Sequence, residues 1–78
     1  MKDVRSQDPI PAQVGKRIRG LREGGGISQE ALAEKSGLHR TYIGGVEGGL
    51  RNPSLKGLQR TARGLGVGAV DLFQTAKD

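Results

Sequence analysis

Apolar residues recur along this chain at helical spacing, and no segment alternates apolar and polar residues as a half-buried strand does. Val14, Ile18 and Leu21 stand at positions i, i+4 and i+7, which form one apolar face of a helix. This spacing predicts a first helix over residues 12–23, and the run of glycines at 24–26 ends it.

Residues 28–47 predict two short helices joined by a tight turn. Ser28 belongs to the residue types that cap helix N-termini, and polar and acidic residues follow it in the first turn. Gly37 can adopt the left-handed conformation that ends many helices, and a second helix begins near His39. A helix, a short turn with glycine and a second helix form a helix-turn-helix unit.

The remaining pattern is helical as well. Val67 to about Ala76 predicts a last short helix, and the polar residues 1–11 predict a flexible N-terminal arm. Before the last helix, Ser54 caps a fourth one, whose apolar face consists of Leu55, Leu58, Ala62 and Leu65. The sequence therefore predicts five short helices in one all-α domain at residues 12–78.

A motif lies within and just after the central unit: Leu38-His39-Arg40-Thr41-Tyr42-Ile43, followed by Arg51-Asn52. The unit at 28–47 resembles the helix-turn-helix core of Cro/Xre-type DNA-binding domains. The motif is similar to that of the controller proteins of restriction–modification systems. The resemblance runs from about Val14 to Phe73 and implies a five-helix, lambda-repressor-like fold that binds DNA.

Charge and composition agree with a nucleic-acid partner. The net charge of +5 and the isoelectric point near 10.3 favour a polyanion such as double-stranded DNA. The absence of cysteine excludes disulfides and thiolate metal sites and fits a reducing compartment. No apolar run approaches signal-peptide or membrane-spanning length, so we expect no membrane association. Together with the resemblance, this predicts a cytoplasmic, nucleoid-associated protein of a bacterium or phage.

The second helix of such a unit lies in the major groove, with its first residues at base edges. His39, Arg40 and Thr41 begin that helix. The Arg40 guanidinium matches O6 and N7 of guanine, a contact that discriminates by about 1–3 kcal/mol, and Thr41 offers a hydroxyl and a methyl group. The Tyr42 hydroxyl either reaches DNA or packs against a neighbouring helix.

The resemblance implies further DNA contacts. Gln29 matches a family position where a glutamine lies against the DNA backbone, and Arg51 and Asn52 follow the recognition helix, where they contact phosphate or a base edge. Gly45 stands where the family commonly has a base-contacting side chain, so we expect DNA shape to supply more of the specificity. Weaker phosphate candidates are Ser28, Arg17 and Lys56.

The resemblance also implies a structural ion pair between Arg22 of the first helix and Glu47 of the recognition helix. Removing one partner of a buried pair leaves an uncompensated charge, at about 3–5 kcal/mol. We therefore expect Glu47 to support the fold rather than to contact DNA.

Glycines and C-terminal apolar residues bear on stability and assembly. The chain has 14 glycines, and several fall inside predicted helices, where each costs about 0.5–1 kcal/mol relative to alanine. We expect a weakly stable monomer that dimerisation or DNA binding stabilises.

The C-terminal region carries more apolar residues than so small a core needs, which predicts a symmetric interface. Its candidate residues are Leu65, Val67, Val70, Leu72 and Phe73.

The function predicted is a sequence-specific, DNA-binding transcription regulator that acts as a homodimer on a palindromic operator. The alternative is an antitoxin-like module that binds a protein and also DNA, although antitoxins of this fold usually carry an additional segment for the toxin. The sequence argues against an enzyme, because it offers one histidine, no cysteine and no metal-ligand constellation. We expect no cofactor, metal or small-molecule effector, and activation and repression both remain open.

Overall fold

The computed structural model describes residues 10–73, with side chains from residue 12 onward. Four α-helices and a final 3₁₀ helix make up this part of the chain, and it contains no strand. The elements are α1 (Ile10–Gly24), α2 (Gln29–Ser36), α3 (Arg40–Glu47), α4 (Leu55–Leu65) and the 3₁₀ helix (Ala69–Phe73). Within the described residues, no helix is both long enough and apolar enough to cross a membrane.

The helix-turn-helix unit forms as its end signals predict. The Ser28 hydroxyl accepts a hydrogen bond from the Ala31 amide at 3.0 Å, which satisfies a free N–H at the start of α2. Gly37 ends α2 with a φ of 70°, and its amide donates back to carbonyls of the last turn. Residues close by in the sequence therefore set both ends of α2.

The terminal elements differ from their predicted bounds. Helix α1 begins at Ile10, so residues 10 and 11 belong to the helix rather than to the predicted arm, whose other residues lie outside the described part. The fifth helix predicted over 67–76 is wrong as an α-helix. The structure instead has a 3₁₀ helix at Ala69–Phe73, and Asp71 turns back to accept from the Gly68 amide at 3.0 Å. Residues 74–76 lie outside the described part.

The core is aliphatic and draws on every element. Ile18 of α1, Leu32 of α2 and Ile43 of α3 are almost fully buried at its centre. The other buried apolar residues are Val14, Ala33, Val46, Leu58, Ala62 and Leu72. Because α1 and α2 both pack against α3, this helix is held along its inner side and its outer side remains exposed.

The position of Leu72 corrects the predicted interface. Its side chain is buried in the monomer core, so it is not available to a partner subunit. Its neighbour Val70 is 69% exposed and Phe73 is 53% exposed, whereas Leu65 and Val67 are half-buried against the core. The tight turn of the 3₁₀ helix separates these residues, since it directs Leu72 inward and Val70 and Phe73 outward.

Two glycines stand where helices approach too closely for a side chain. A Cβ on Gly15 of α1 would overlap the carbonyl oxygen of Val46 at the end of α3. A Cβ on Gly64 of α4 would overlap the Ser36 hydroxyl of α2. Part of the high glycine content therefore permits close helix packing, which a count of helix propensities does not reveal.

Candidate nucleic-acid interface

The outer surface of α3 begins with the residues predicted to read DNA. Ile43 and Val46 are buried and fix the rotation of the helix about its own axis. That rotation leaves Arg40 and Thr41 exposed at its first turn. His39 occupies the N-cap position with extended backbone and makes no side-chain capping bond, and its side chain is also exposed.

Arg40 lies against the first turn of α2. Its Nε atom is 3.4 Å from Oε2 of Glu30, and its Nη1 atom is 3.5 Å from Oε1 of Gln29. These two contacts, at Nε and at Nη1, orient the guanidinium. An arginine has five N–H donors, so this arrangement leaves others to contact a ligand.

Gln29 connects the exposed arginine with the interior. Its Nε2 atom donates to Oε1 of Glu47 at 3.0 Å, which leaves its Oε1 atom facing Arg40. As the first residue of α2, Gln29 also stands where free backbone N–H groups favour an anion. One side chain thus links α2, the start of α3 and the end of α3.

Glu47 forms the buried ion pair with Arg22 that the resemblance implies. Nε and Nη2 of Arg22 donate to the two carboxylate oxygens at 2.6 and 3.0 Å, and Nη1 donates to the Ile27 carbonyl at 2.9 Å. Burial raises the pKa of Glu47, but hydrogen bonds from Arg22 and Gln29 outweigh it and hold this pKa below its ordinary value. The hydrogen bond with Glu47 in turn raises the pKa of Arg22 despite burial.

The half-buried Tyr42 of α3 and the exposed Arg51 of the following loop form a second group. The Arg51 guanidinium carbon lies 5.7 Å from the centroid of the Tyr42 ring, within the range of a cation–π contact. The Tyr42 hydroxyl is buried, and within the described part of the chain it has no hydrogen-bond partner. It lies against Gly57 of α4, where a Cβ would overlap it. Of the two alternatives for this hydroxyl, the structure shows packing against a neighbouring helix.

Neighbouring side chains cover the two glycines of α3. A Cβ on Gly44 would lie 3.6 Å from Nη1 of Arg40, and a Cβ on Gly45 would lie 3.4 Å from Nε of Arg51. Arg51 therefore occupies the space beside Gly45, the position at which the sequence predicts that no side chain reaches a base. Nothing in the sequence pattern indicated this, because Arg51 belongs to the loop after the helix.

The other predicted contact residues lie at several places around this surface. Ser28 is exposed at the N-cap of α2, and Asn52 and Lys56 are exposed on the loop after α3 and the first turn of α4. Arg17 instead contacts the 3₁₀ helix, where its Nε atom donates to the Asp71 carbonyl at 2.9 Å. The structure thus brings together Gln29, Arg40, Tyr42 and Arg51 around α3, and it gives Arg17 a role in packing.

A family model described as helix-turn-helix matches residues 18–72. The chain belongs to the helix-turn-helix family. Its relatives include the control protein C.BamHI of Bacillus amyloliquefaciens, 42% identical over 60 residues, which are 76% of this chain and 74% of that protein.

Two solved structures extend this similarity to the fold. The restriction–modification controller protein C.AhdI from Aeromonas hydrophila is 46% identical, with a TM-score of 0.79 over 81% of this chain and 96% of that one. The controller protein C.Esp1396I, solved as a tetramer with its natural 35 base-pair operator, is 41% identical, with a TM-score of 0.76 over 82% and 84%. Within the helix-turn-helix family, the chain therefore stands among restriction–modification control proteins.

The matched region contains nearly all of the candidate interface. It includes α2, α3 and the loop with Arg51 and Asn52, and it begins after Arg17. The helix-turn-helix match thus covers the same residues that the geometry groups around α3.

Proposed function

We propose that this chain is a sequence-specific, DNA-binding transcription regulator of the restriction–modification control type. The observation that carries the proposal is the first turn of α3. Arg40 and Thr41 are exposed there, while the buried residues of the same helix hold it against the core. The relatives named as control proteins support the same function, since one of them was solved on its operator.

In this proposal α3 lies in the major groove with Arg40 and Thr41 at base edges. The N–H groups of Arg40 that do not face α2 would donate to O6 and N7 of a guanine. The start of α2, with Ser28 and Gln29, would meet a phosphate through its free backbone N–H groups.

Arg51 and Asn52 would extend the contact along the same groove. Arg51 belongs to the loop after α3, and its side chain lies next to this helix, beside Gly45 and over the Tyr42 ring. Because α3 carries no side chain at Gly44 or Gly45, part of the specificity would come from DNA shape.

The proposed assembly is a symmetric homodimer formed by the C-terminal region of the single domain. Val70 and Phe73 are the exposed apolar residues of the 3₁₀ helix, and Leu65 and Val67 lie nearby in sequence. A two-fold dimer would present two recognition helices about 34–36 Å apart to a palindromic operator. Occupancy of a promoter would then block or recruit polymerase, according to the position of the operator.

The test is selection of bound sites from a random double-stranded DNA library, repeated at low and moderate salt. A palindromic motif enriched at both salt concentrations is the expected result. Enrichment that disappears with salt and yields no motif would show only phosphate attraction and would contradict the proposal. In that case the antitoxin-like alternative would explain the chain better.

The Arg40→Ala variant assigns the motif to α3. The variant should discriminate less between bases at one position of each half-site, by about 1–3 kcal/mol, while the base preferences at the other positions stay unchanged. Arg63→Ala is the matched control, since Arg63 is an exposed arginine of α4 outside the candidate interface, and this change should leave the motif unaltered.

A further inference from the structure

We infer that Glu30 is a positioning residue that sets the DNA specificity of Arg40. Its carboxylate lies 3.4 Å from Nε of Arg40 on the surface proposed to face DNA. The inference rests on the proposed function. It assigns a role in DNA recognition to an acidic residue, whose negative charge repels phosphates.

The first part of the role is orientation. Glu30 and Gln29 are consecutive residues in the first turn of α2, and they contact Nε and Nη1 of the same guanidinium. Contacts at two different nitrogens of a planar group restrict its rotation, and Glu30 and Gln29 leave the Nη2 donors uncontacted. A bidentate contact with guanine needs two donors in a fixed orientation, and this arrangement supplies it before DNA binds.

The second part of the role is electrostatic. An arginine at a DNA-facing surface attracts every phosphate, whatever the sequence, and this attraction supplies most non-specific binding. The carboxylate of Glu30 offsets the charge of Arg40, whereas the hydrogen bonds to guanine depend on geometry. Glu30 therefore lowers affinity for unrelated DNA more than affinity for the operator.

This contact has little to do with the stability of the fold. The Arg40 side chain is 53% exposed and that of Glu30 is 72% exposed, and exposed ion pairs contribute little to folding. A specificity role is therefore separable from folding, unlike that of the buried Arg22–Glu47 pair.

The test compares Glu30→Gln with the unchanged chain on two duplexes of equal length, the selected operator and a scrambled sequence. Glutamine keeps an acceptor oxygen and removes the charge. The affinity for the scrambled duplex should rise about two- to fivefold, the range of an exposed ion pair. Its salt dependence should steepen by up to about one phosphate contact, and the ratio of operator to scrambled affinity should fall.

Glu34→Gln is the matched control, since Glu34 is an exposed acid further along α2 and the same charge is removed. Glu30→Ala, which removes the acceptor as well, should lower the ratio further. An unchanged ratio in Glu30→Gln, or an equal fall in Glu34→Gln, would overturn the inference. Absence of any operator for the unchanged chain would instead refute the proposed function, so the two failures are distinguishable.

Discussion

At the scale of single residues, Glu47 joins the fold to the surface proposed to face DNA. Its carboxylate accepts hydrogen bonds from Arg22 inside the domain and from Gln29, which contacts Arg40 outside it. A buried pair of this kind need not add net stability over an apolar pair. Each buried charge is nevertheless compensated by its partner, so the loss of one partner is unfavourable.

We therefore expect Glu47→Ala to unfold the domain rather than only to weaken DNA binding. The change leaves the Arg22 guanidinium buried without its carboxylate, at about 3–5 kcal/mol. Denaturant unfolding followed by circular dichroism measures this loss, with Glu34→Ala as an exposed acidic control. A folded Glu47→Ala variant with normal DNA affinity would contradict the structural role.

The same residue predicts loss of stability in acid. Because the pKa of Glu47 is lowered on folding, its contribution is complete above the ordinary glutamate value of about 4.3. It should decline as the pH falls from there through the lowered pKa of the folded state. Urea unfolding of the unchanged protein between neutral pH and acid measures this loss, and a free energy of unfolding that stays constant over that range would contradict it.

At the scale of the elements, close packing explains glycines that helix propensity alone disfavours. Gly15 and Gly20 both lie inside α1, but only Gly15 faces α3. Carbonyl oxygens of Val46 and Glu47 occupy the place of its missing Cβ, and backbone cannot move aside as a flexible side chain can. Apart from its chain neighbours and its own helix backbone, none of the described residues places an atom within 4 Å of a Cβ on Gly20.

Alanine substitutions at these two positions should therefore have opposite effects. Gly20→Ala should stabilise the domain by about 0.5–1 kcal/mol, because alanine loses less backbone entropy in a helix. Gly15→Ala should destabilise it, by about 1–3 kcal/mol, as overpacking does. Thermal melts at one protein concentration would compare them, and a stabilised Gly15→Ala variant would refute the close α1–α3 contact.

At the scale of the whole molecule, a small aliphatic core and an exposed apolar turn favour association. The buried core consists of a few aliphatic side chains from each element, and a chain of 78 residues buries a limited share of its surface. Val70 and Phe73 remain outside that core. Pairing of this turn across a two-fold axis would remove both residues from water and stabilise each subunit.

We expect Val70→Asp to shift the protein to a monomer and to weaken operator binding. Charged residues at a symmetric apolar interface lie close to their own copies, and burial there is unfavourable. Sedimentation equilibrium measures the change in association, and Leu50→Asp is the control for this measurement alone, because Leu50 is 87% exposed on the loop after α3. The unchanged protein should melt at a temperature that rises with its concentration. A concentration-independent melt above about 65 °C would contradict the weak monomer.

The sequence alone determined the helix-turn-helix unit and the residues that begin α3, because capping and helical periodicity depend on neighbours along the chain. Ser28 and Gly37 set the ends of α2, and Arg40 follows from its position at the start of α3. Only the tertiary structure decided that Leu72 enters the core while Val70 stays outside.

The tertiary structure also placed Arg51 beside Gly45 and turned the Tyr42 hydroxyl toward α4. It gave the final element a 3₁₀ rather than an α-helical form, and it made Gly15 a packing requirement. Each of these features depends on groups that are distant in sequence or that share one crowded space. Local residue patterns carry no information about such distances, so packing in three dimensions had to decide them.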